Sequence, residues 1–321
     1  MSKGNYTDIN FEEFTEGFFV KESCPIYNRR KEKGREFSHG HLRRLDGILR
    51  NHLLKEFSGK ELCNIHKVDL DNFLCRLICE ENISGSSANY IAYAMRLIIK
   101  EAQRKGIVSH NFTDNYDWFK MIHKPKGIFT KQEAYHLMKQ ENWESYDYLL
   151  INRIARYTGM RVSEILALNH NDINYKEGLH YILVSKGMDE NQTINDTKNH
   201  RKRIVPIPKW FFSELFGFKP HKSFWFIRDG GNINYMKVRL RFKKALEKIG
   251  ITDDERRERN LTFHSWRHRY ISALTGFVPD LQLKMIVGHR GTKTTDHYRK
   301  YIMSSTPEIL SKSYFKNIYD V

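Results

Sequence analysis

The chain has 321 residues, of which 40% are hydrophobic, and its 54 Lys+Arg against 38 Asp+Glu give a formal net charge of +16. Such a length suits two domains, each able to bury its own core without a disulfide or metal staple. No apolar run approaches the roughly 20 residues that span a bilayer, and the Met-Ser-Lys-Gly start carries no signal-peptide core, so the expectation is a cytoplasmic protein with no membrane partner.

Residues 1–35 read as an N-terminal extension, followed over 36–123 by a helical bundle. Its signal is apolar residues at helical spacing: Leu42, Leu45, Ile48, Leu49 and Leu53, then Phe73, Leu74, Leu77 and Ile78, then Tyr90, Ile91, Ala94, Leu97, Ile98 and Ala102. Ser84-Gly85-Ser86-Ser87 breaks two of these helices and offers a serine cap to the second, which ends at Gly106. The four cysteines, Cys24, Cys63, Cys75 and Cys79, form no CxxC pair. Cys75 and Cys79 lie four apart in an apolar run and read as buried thiols.

Periodicity is lost over 111–128, and Lys124-Pro125-Lys126-Gly127 reads as the core of a linker at 124–128. The second domain, 129–321, opens on Thr130-Lys131-Gln132-Glu133, the pattern of a capping box, and continues into a buried helix over Tyr148 to Arg156. Arg161 follows at a glycine-marked break. Between Ile173 and Ile207 the period shortens, and Leu179–Val184 and Arg203–Ile207 read as short antiparallel strands. The polar stretch Lys186 to Lys202 between them reads as a long mobile loop. Met236 to Ile249 returns to helix, with Lys237, Arg239, Arg241, Lys243 and Lys244 interleaved with Val238, Leu240 and Phe242, a face that is either solvated or laid on phosphates. The fold class is therefore mainly α with a small antiparallel β-sheet, α+β.

Charge is distributed unevenly along this plan. Residues 1–125 hold 20 Lys+Arg against 17 Asp+Glu, and residues 126–321 hold 34 against 21, so the excess is +3 in the first part and +13 in the second. A polyanion bound in the second domain is the functional reading and solubility the plain one.

The same domain carries the reactive side chains. His264-Ser265-Trp266-Arg267-His268 precedes Gly288-His289-Arg290-Gly291-Thr292-Lys293-Thr294-Thr295-Asp296-His297-Tyr298, and a second guanidinium stands upstream in Tyr157-Thr158-Gly159-Met160-Arg161-Val162-Ser163-Glu164. A tyrosine hydroxyl has a pKa of about 10 and is a poor nucleophile at neutral pH unless a base and positive charge lie close. Arginine forks match phosphate oxygens and stay charged. Together these groups suit a phosphodiester. Taken singly they have plainer readings: His264 and Arg267 as a surface pair at i,i+3, Arg161 as a helix cap, Tyr298 as a core residue with Tyr301 as a rival phenol.

At these motifs the chain resembles the tyrosine recombinases, or phage integrases, and the resemblance spans nearly its whole length. It rests on Thr-Gly-x-Arg-x-Ser-Glu at 158–164, His-x-x-Arg-His at 264–268, and Gly-His followed by Thr-Thr-x-x-Tyr at 288–298. The family's lysine precedes a Val-Pro strand, which selects Lys198, with Lys186 as competitor because the hairpin is long. Trp266 stands where the family commonly has Leu and reads as a core change.

The resemblance implies a helical-bundle core DNA-binding domain followed by a catalytic domain. It implies a site-specific DNA recombinase that cuts and rejoins strands through a 3′-phosphotyrosyl bond, as the integrase of a mobile element; a type IB topoisomerase and a DNA-binding protein without catalysis are the alternatives. Tyr298 is then the nucleophile, Arg161 and Arg267 the ligands of the non-bridging oxygens, His264 the base, His289 a donor to the phosphate and Lys198 the acid. No metal, ATP or other cofactor is expected, since two guanidiniums do the work of a divalent cation and the phosphotyrosine conserves the bond energy. Partners are double-stranded DNA, gripped by both domains as a clamp, and sister protomers in a tetramer on synapsed sites, with accessory DNA-bending or directionality factors as further candidates. The apolar face Ile309, Leu310, Tyr314, Phe315 and Ile318 is the expected docking element between protomers. Some family members carry an extra arm-binding domain in front; here either it is absent or the chain is a truncated piece.

Overall fold

The structure is a computed structural model that describes residues 9–34, 37, 39–121, 125–196, 202–219, 224–226 and 232–288. The chain divides into two compact units, Met1–His123 and Lys124–Val321, each with its own hydrophobic core.

Among the described residues the elements of the first unit are helices: α1 (Phe11–Thr15), α2 (Pro25–Glu32), α3 (His39–Ile48), α4 (Leu54–Phe57), α5 (Lys67–Cys79) and α6 (Gly85–Arg104). Helices α3 and α4 run on through a π turn at Leu49–Leu53, whose wider pitch keeps Leu45, Leu49 and Leu53 on one buried line. Ser84 caps α6 by accepting the Ser87 N–H. Beyond its end, Gly106 turns left-handed at φ +77 and the Ile107 N–H returns to the Ala102 carbonyl.

Two features of this unit differ from the sequence reading. The stretch before residue 36 is no appendage: Phe11, Phe18, Phe19, Ile26 and Tyr27 are buried in the same core as the bundle. Arg29 of α2 also reaches the buried Glu101 of α6, 2.5 Å away, where Arg104 makes a second bond. Burial opposes ionisation of Glu101, but the two guanidiniums outweigh it and hold the carboxyl below its ordinary range. Cys75 and Cys79 are exposed, whereas Cys24 is buried. Leu70, Phe73, Leu74 and Leu77 take the inward face of α5, and at 100° per residue positions 75 and 79 fall opposite them.

The second unit contains α7 (Lys131–His136), α8 (Tyr146–Thr158), α9 (Val162–Leu166), β1 (Ile173–Lys176), β2 (Leu179–Val184), β3 (Lys186–Met188), β4 (Ile194–Asp196), β5 (Arg203–Pro206), α10 (Lys209–Gly217), α11 (Tyr235–Lys248), α12 (Asp253–Glu258), α13 (Ser265–Leu274) and α14 (Asp280–Val287). Thr130 and Glu133 close a reciprocal capping box ahead of α7. The central helix is α8, buried along almost its whole length, with α9, α11 and α13 packed on it.

The main sheet has the order β1-β2-β5, all antiparallel, with Ile173 opposite Ile182 and Val184 opposite Arg203. Strand β1 is an addition to the sequence reading. So is the second hairpin, β3-β4, which pairs Lys186–Met188 with Ile194–Asp196 inside the long polar stretch. Asp189 organises its turn by accepting the N–H groups of Asn191 and Thr193, both at 2.9 Å. Local aspartate turns of this kind leave no hydrophobic period to read. On α11, Val238 and Phe242 are buried while Leu240 is exposed, and Arg241 pairs with Glu144. Among the described residues no helix is long and apolar enough to cross a membrane.

Trp266 is wholly buried, 4.6 Å from the Phe129 ring, and donates its indole N–H to the Asn152 side-chain oxygen at 2.9 Å. Trp266→Leu therefore removes both volume and the partner of a buried amide, and should cost about 2–4 kcal/mol in urea unfolding. Adding Asn152→Leu should recover part of that loss.

Candidate active site

The site grows from the turn between α8 and α9. Gly159 ends α8 in the left-handed conformation, φ +60, with its N–H on the Ala155 carbonyl. A Cβ there would stand 2.6 Å from the Tyr270 ring, so the turn needs glycine for space as well as for φ. The next helix starts three residues later, at Val162, and the Glu164 carboxylate caps it by accepting the Arg161 backbone N–H at 2.8 Å. The same carboxylate takes Nη1 of the Arg161 side chain at 3.0 Å, and Arg161 Nη2 reaches the Gly288 carbonyl at 3.3 Å. The Arg161 side chain stays 42% exposed.

Arg267 enters from α13 and is buried, 2% exposed. Its Nη1 donates to the Gly159 carbonyl at 2.8 Å and its Nη2 to the Val287 carbonyl. Burial, then the charges of Arg161 and Arg203, push its pKa down to about 10, which still leaves it charged at neutral pH. His264 precedes α13 and is exposed. Desolvation of its ring, with His268, Arg267, Arg161 and Lys126 around it, lowers its pKa to about 4, so at pH 7 it is a neutral imidazole with a lone pair to offer. His268 packs its ring 5.0 Å from that of His264.

A third guanidinium, Arg203 at the start of β5, completes the cluster. It grips both oxygens of Glu164, Nη1 to Oε1 at 2.8 Å and Nη2 to Oε2 at 2.6 Å, and donates Nε to the Ile286 carbonyl at 2.9 Å. Three successive carbonyls at the end of α14, those of Ile286, Val287 and Gly288, thus accept from Arg203, Arg267 and Arg161 in turn. A helix leaves its last carbonyls unpaired and its C-terminus partly negative, so cations belong there. Glu164 is 6% exposed; burial opposes its charge, but Arg203 and Arg161 prevail and bring its pKa down to about 2. One carboxylate against three guanidiniums leaves an excess of positive charge at the solvent-open side, where Arg161 and His264 lie.

The structure brings Arg161, His264 and Arg267 together. Lys198, His289, Tyr298 and the rival Tyr301, and the apolar tail at Ile309–Ile318, lie outside the described residues. Lys186 donates to the buried Asp172 at 3.1 Å, with its ammonium 5.3 Å from the Phe224 ring centre. The plain readings of two residues fall away: Arg267 is interior, and Arg161 is held by a carboxylate while its own side chain caps nothing of α8. Sequence reading passed over Arg203, recognised only as a strand residue, and Glu164, quoted in a motif without a role. It also passed over Lys126, read as linker. Gly127 presses on the Arg259 carbonyl and Asn260 bonds the Pro125 carbonyl, which holds Lys126 at the histidines. A glutamate three residues after an arginine that opens a helix was the available signal for Glu164; Arg203 had none, because its partners are distant in sequence. Among the described residues no group of His, Cys, Asp and Glu could hold a metal ion.

The model of the phage integrase family matches residues 128–304, more than half of the chain and the whole of this cluster. The chain belongs to the phage integrase family. Curated relatives include the tyrosine recombinase XerC of Proteus mirabilis, 24% identical over 193 residues, covering 55% of this chain and 59% of the relative. The XerC of Chlamydia muridarum is 24% identical over 174 residues, 51% of this chain and 49% of the relative. The integrase of Staphylococcus phage L54a is 26% identical over 188 residues, 52% of this chain and 51% of the relative. The chain spans about half the length of the curated relatives it matches. Among solved structures, the Tn1549 transposon integrase in complex with a circular intermediate DNA superposes with a TM-score of 0.65 at 18% identity, over 88% of this chain and 98% of that one. A lambda integrase tetramer bound to a Holliday junction gives 0.63 at 14% identity, over 88% and 82%. At these identities the likeness is one of fold: mostly helical, with small antiparallel sheets.

Because the Glu164 pKa is depressed from 4.5 to about 2, its ionised form stabilises the folded chain above pH 4.5, and that contribution is lost as pH falls toward 2. The expected size is on the order of 3 kcal/mol. In denaturant unfolding, wild type should exceed Glu164→Gln by roughly that amount at pH 7, and the gap should close between pH 4.5 and pH 2.

Proposed function

We propose that the protein is a site-specific DNA recombinase, the integrase of a mobile element, which cleaves and rejoins DNA strands through a 3′-phosphotyrosyl intermediate. The observation that carries this reading is the cluster of three guanidiniums on the end of α14, with net positive charge facing solvent beside a neutral imidazole. A phosphodiester carries one negative charge on two non-bridging oxygens, which is what such a cluster lacks. Arg161 is the exposed ligand of those oxygens, and Arg267 contributes charge from beneath with two of its five donors already committed to carbonyls.

In the reaction the Tyr298 oxygen attacks phosphorus in line and its proton passes to His264. The bond from phosphorus to the 5′-oxygen breaks, and Lys198 protonates that oxygen to leave a 5′-hydroxyl. His289 donates to the phosphate. A 5′-hydroxyl from another strand reverses the sequence and rejoins DNA, so the phosphodiester energy is conserved in the tyrosyl ester. Before DNA binds, desolvation and then the surrounding cations make His264 a weak base; a bound phosphate anion offsets the cations' share and raises its basicity where the proton must be accepted. Lys186, tied to Asp172, is poorly placed to replace Lys198.

In this reading the first unit is the core DNA-binding domain and the second the catalytic domain. Four protomers synapse two sites, in the bacterial cytoplasm and with accessory DNA-bending or directionality factors where a site requires them; a lambda integrase of like fold is known as a tetramer bound to a Holliday junction. Phosphate contacts dominate DNA affinity and make it fall steeply with salt.

The deciding experiment is trapping on nicked suicide duplexes bearing candidate sites from the flanks of the gene. Wild type should give a covalent, protease-sensitive adduct, Tyr298→Phe none, and Arg161→Ala an adduct formed on the order of 100-fold more slowly. Adduct formation by Tyr298→Phe would remove Tyr298 from its role. A 5′-bridging phosphorothiolate, whose thiolate leaves without a proton, should restore cleavage to Lys198→Ala; restoration of Lys186→Ala instead would transfer the acid role to Lys186.

A further inference from the structure

Resting on that reading, we infer that Arg203 is a positioning residue for strand cleavage: by occupying both oxygens of Glu164 it keeps Arg161 free to face the phosphate. The argument begins with donors and acceptors. Glu164 Oε1 accepts from Arg203 Nη1 and Arg161 Nη1, and Oε2 accepts from Arg203 Nη2 and the Arg161 backbone N–H. The fork-to-fork pair belongs to Arg203, at 2.8 and 2.6 Å, and Arg161 is left with a single 3.0 Å side-chain bond. The planar bidentate geometry is the stronger one, so Arg203 wins the carboxylate and Arg161 is displaced outward.

Burial separates the two residues in the same sense. The Arg203 side chain is 11% exposed and its three nitrogens are all bonded within the protein, to Glu164 twice and to the Ile286 carbonyl. Its guanidinium is therefore committed mainly to protein partners. Arg161 is 42% exposed, and its second bond, to Gly288, is long at 3.3 Å and readily exchanged for a phosphate oxygen. Without Arg203, a buried carboxylate would keep Arg161 as its one hydrogen-bonded cation, Arg267 being tied to the Gly159 and Val287 carbonyls, and an under-paired buried charge is costly enough to draw Arg161 in. Arg161 would then pass from a single bond to a bidentate grip on Glu164 and turn away from the phosphate.

Arg203 also sets where the chain leaves α14. Gly288 follows that helix at φ +69, and a Cβ on it would meet Arg203 Cδ at 3.2 Å and Nε at 3.3 Å. The backbone at Gly288 thus lies against the Arg203 side chain, while the Ile286 carbonyl is tied to its Nε. One side chain therefore packs against both the carboxylate that holds Arg161 and the turn at Gly288.

The test compares Arg203→Lys, Arg203→Gln, Glu164→Gln and the Arg203→Gln/Glu164→Gln pair with wild type, by single-turnover cleavage of a suicide duplex at saturating protein and by Kd for the same duplex. Arg203→Gln should cleave roughly 30-fold or more slowly with Kd changed by no more than about threefold, a loss confined to the chemical step. Arg203→Lys, which keeps the charge but not the fork, should fall between. The double variant should regain about tenfold over Arg203→Gln, because a neutral amide no longer captures Arg161. A purely structural role predicts no such recovery, and either its absence or wild-type cleavage by Arg203→Gln would overturn the inference.

An arm independent of activity reads Arg161 directly, through its modification by a dicarbonyl reagent located by mass spectrometry. Arg161 should react in wild type, be protected in Arg203→Gln, and react again in the double variant. If wild type binds DNA yet never forms an adduct, the recombinase reading fails while this arm still decides the placement of Arg161. Should Arg203→Gln not fold, the same arm on Arg203→Lys serves, with partial protection expected and full reactivity contradicting the inference.

Discussion

The site depends on a single electrostatic constraint: several guanidiniums must be held close together without a bound anion to pay for their repulsion. The end of α14 supplies three carbonyls in succession, Ile286, Val287 and Gly288, and each takes one arginine. Glu164 supplies the formal negative charge, buried and shared between two of the three. Together they offset part of the repulsion and leave the rest, which is why burial and its neighbours lower even the pKa of Arg267. A cluster fully neutralised by the protein would have no preference for a phosphate; one left bare would not fold.

The surrounding elements are arranged to bring these groups to one place. Helix α8 ends at Gly159 so that its carbonyl can face Arg267, α9 begins at once so that Glu164 can cap it, and β5 starts with Arg203 so that the sheet reaches the end of α14. Tight packing underlies each junction, with Tyr270 against Gly159 and Arg203 against Gly288. Local glycines and distant cations are thus parts of one construction: the left-handed turns bring backbone oxygens to the arginines, and the arginines hold the turns.

Different elements of this construction were legible to different degrees. Helices with a strong 3.6-residue period, such as α6 and α8, were plain in the sequence, as were the Thr130 capping box and the serine at the head of α6, because caps are local chemistry. The β3-β4 hairpin was not, since it is held by Asp189 and its turn rather than by alternating hydrophobics. The segment before residue 36 looked like an extension because its helices are short, and only tertiary burial of Phe11, Phe18 and Phe19 joins it to the bundle. Cys75 and Cys79 misled for a related reason: an apolar run says that a helix is buried somewhere, but not which face.

The sequence by itself determined which side chains are on offer for the proposed chemistry and in what order: Arg161, then Lys198, then the His264 and Arg267 pair, then His289 and Tyr298, in a strongly basic second half. Residue type settles that much, because only arginine stays charged and forked and only a phenol with a base nearby can serve as a nucleophile of this kind. Tertiary structure alone decided how the cations are shared out. Arg203 and Glu164 lie 39 residues apart, and Arg161 and Gly288 lie 127 apart; no local pattern encodes such pairings. Which arginine is buried and which faces solvent follows from competition for one carboxylate and three carbonyls, and that competition exists only once α9, β5, α13 and α14 have packed together.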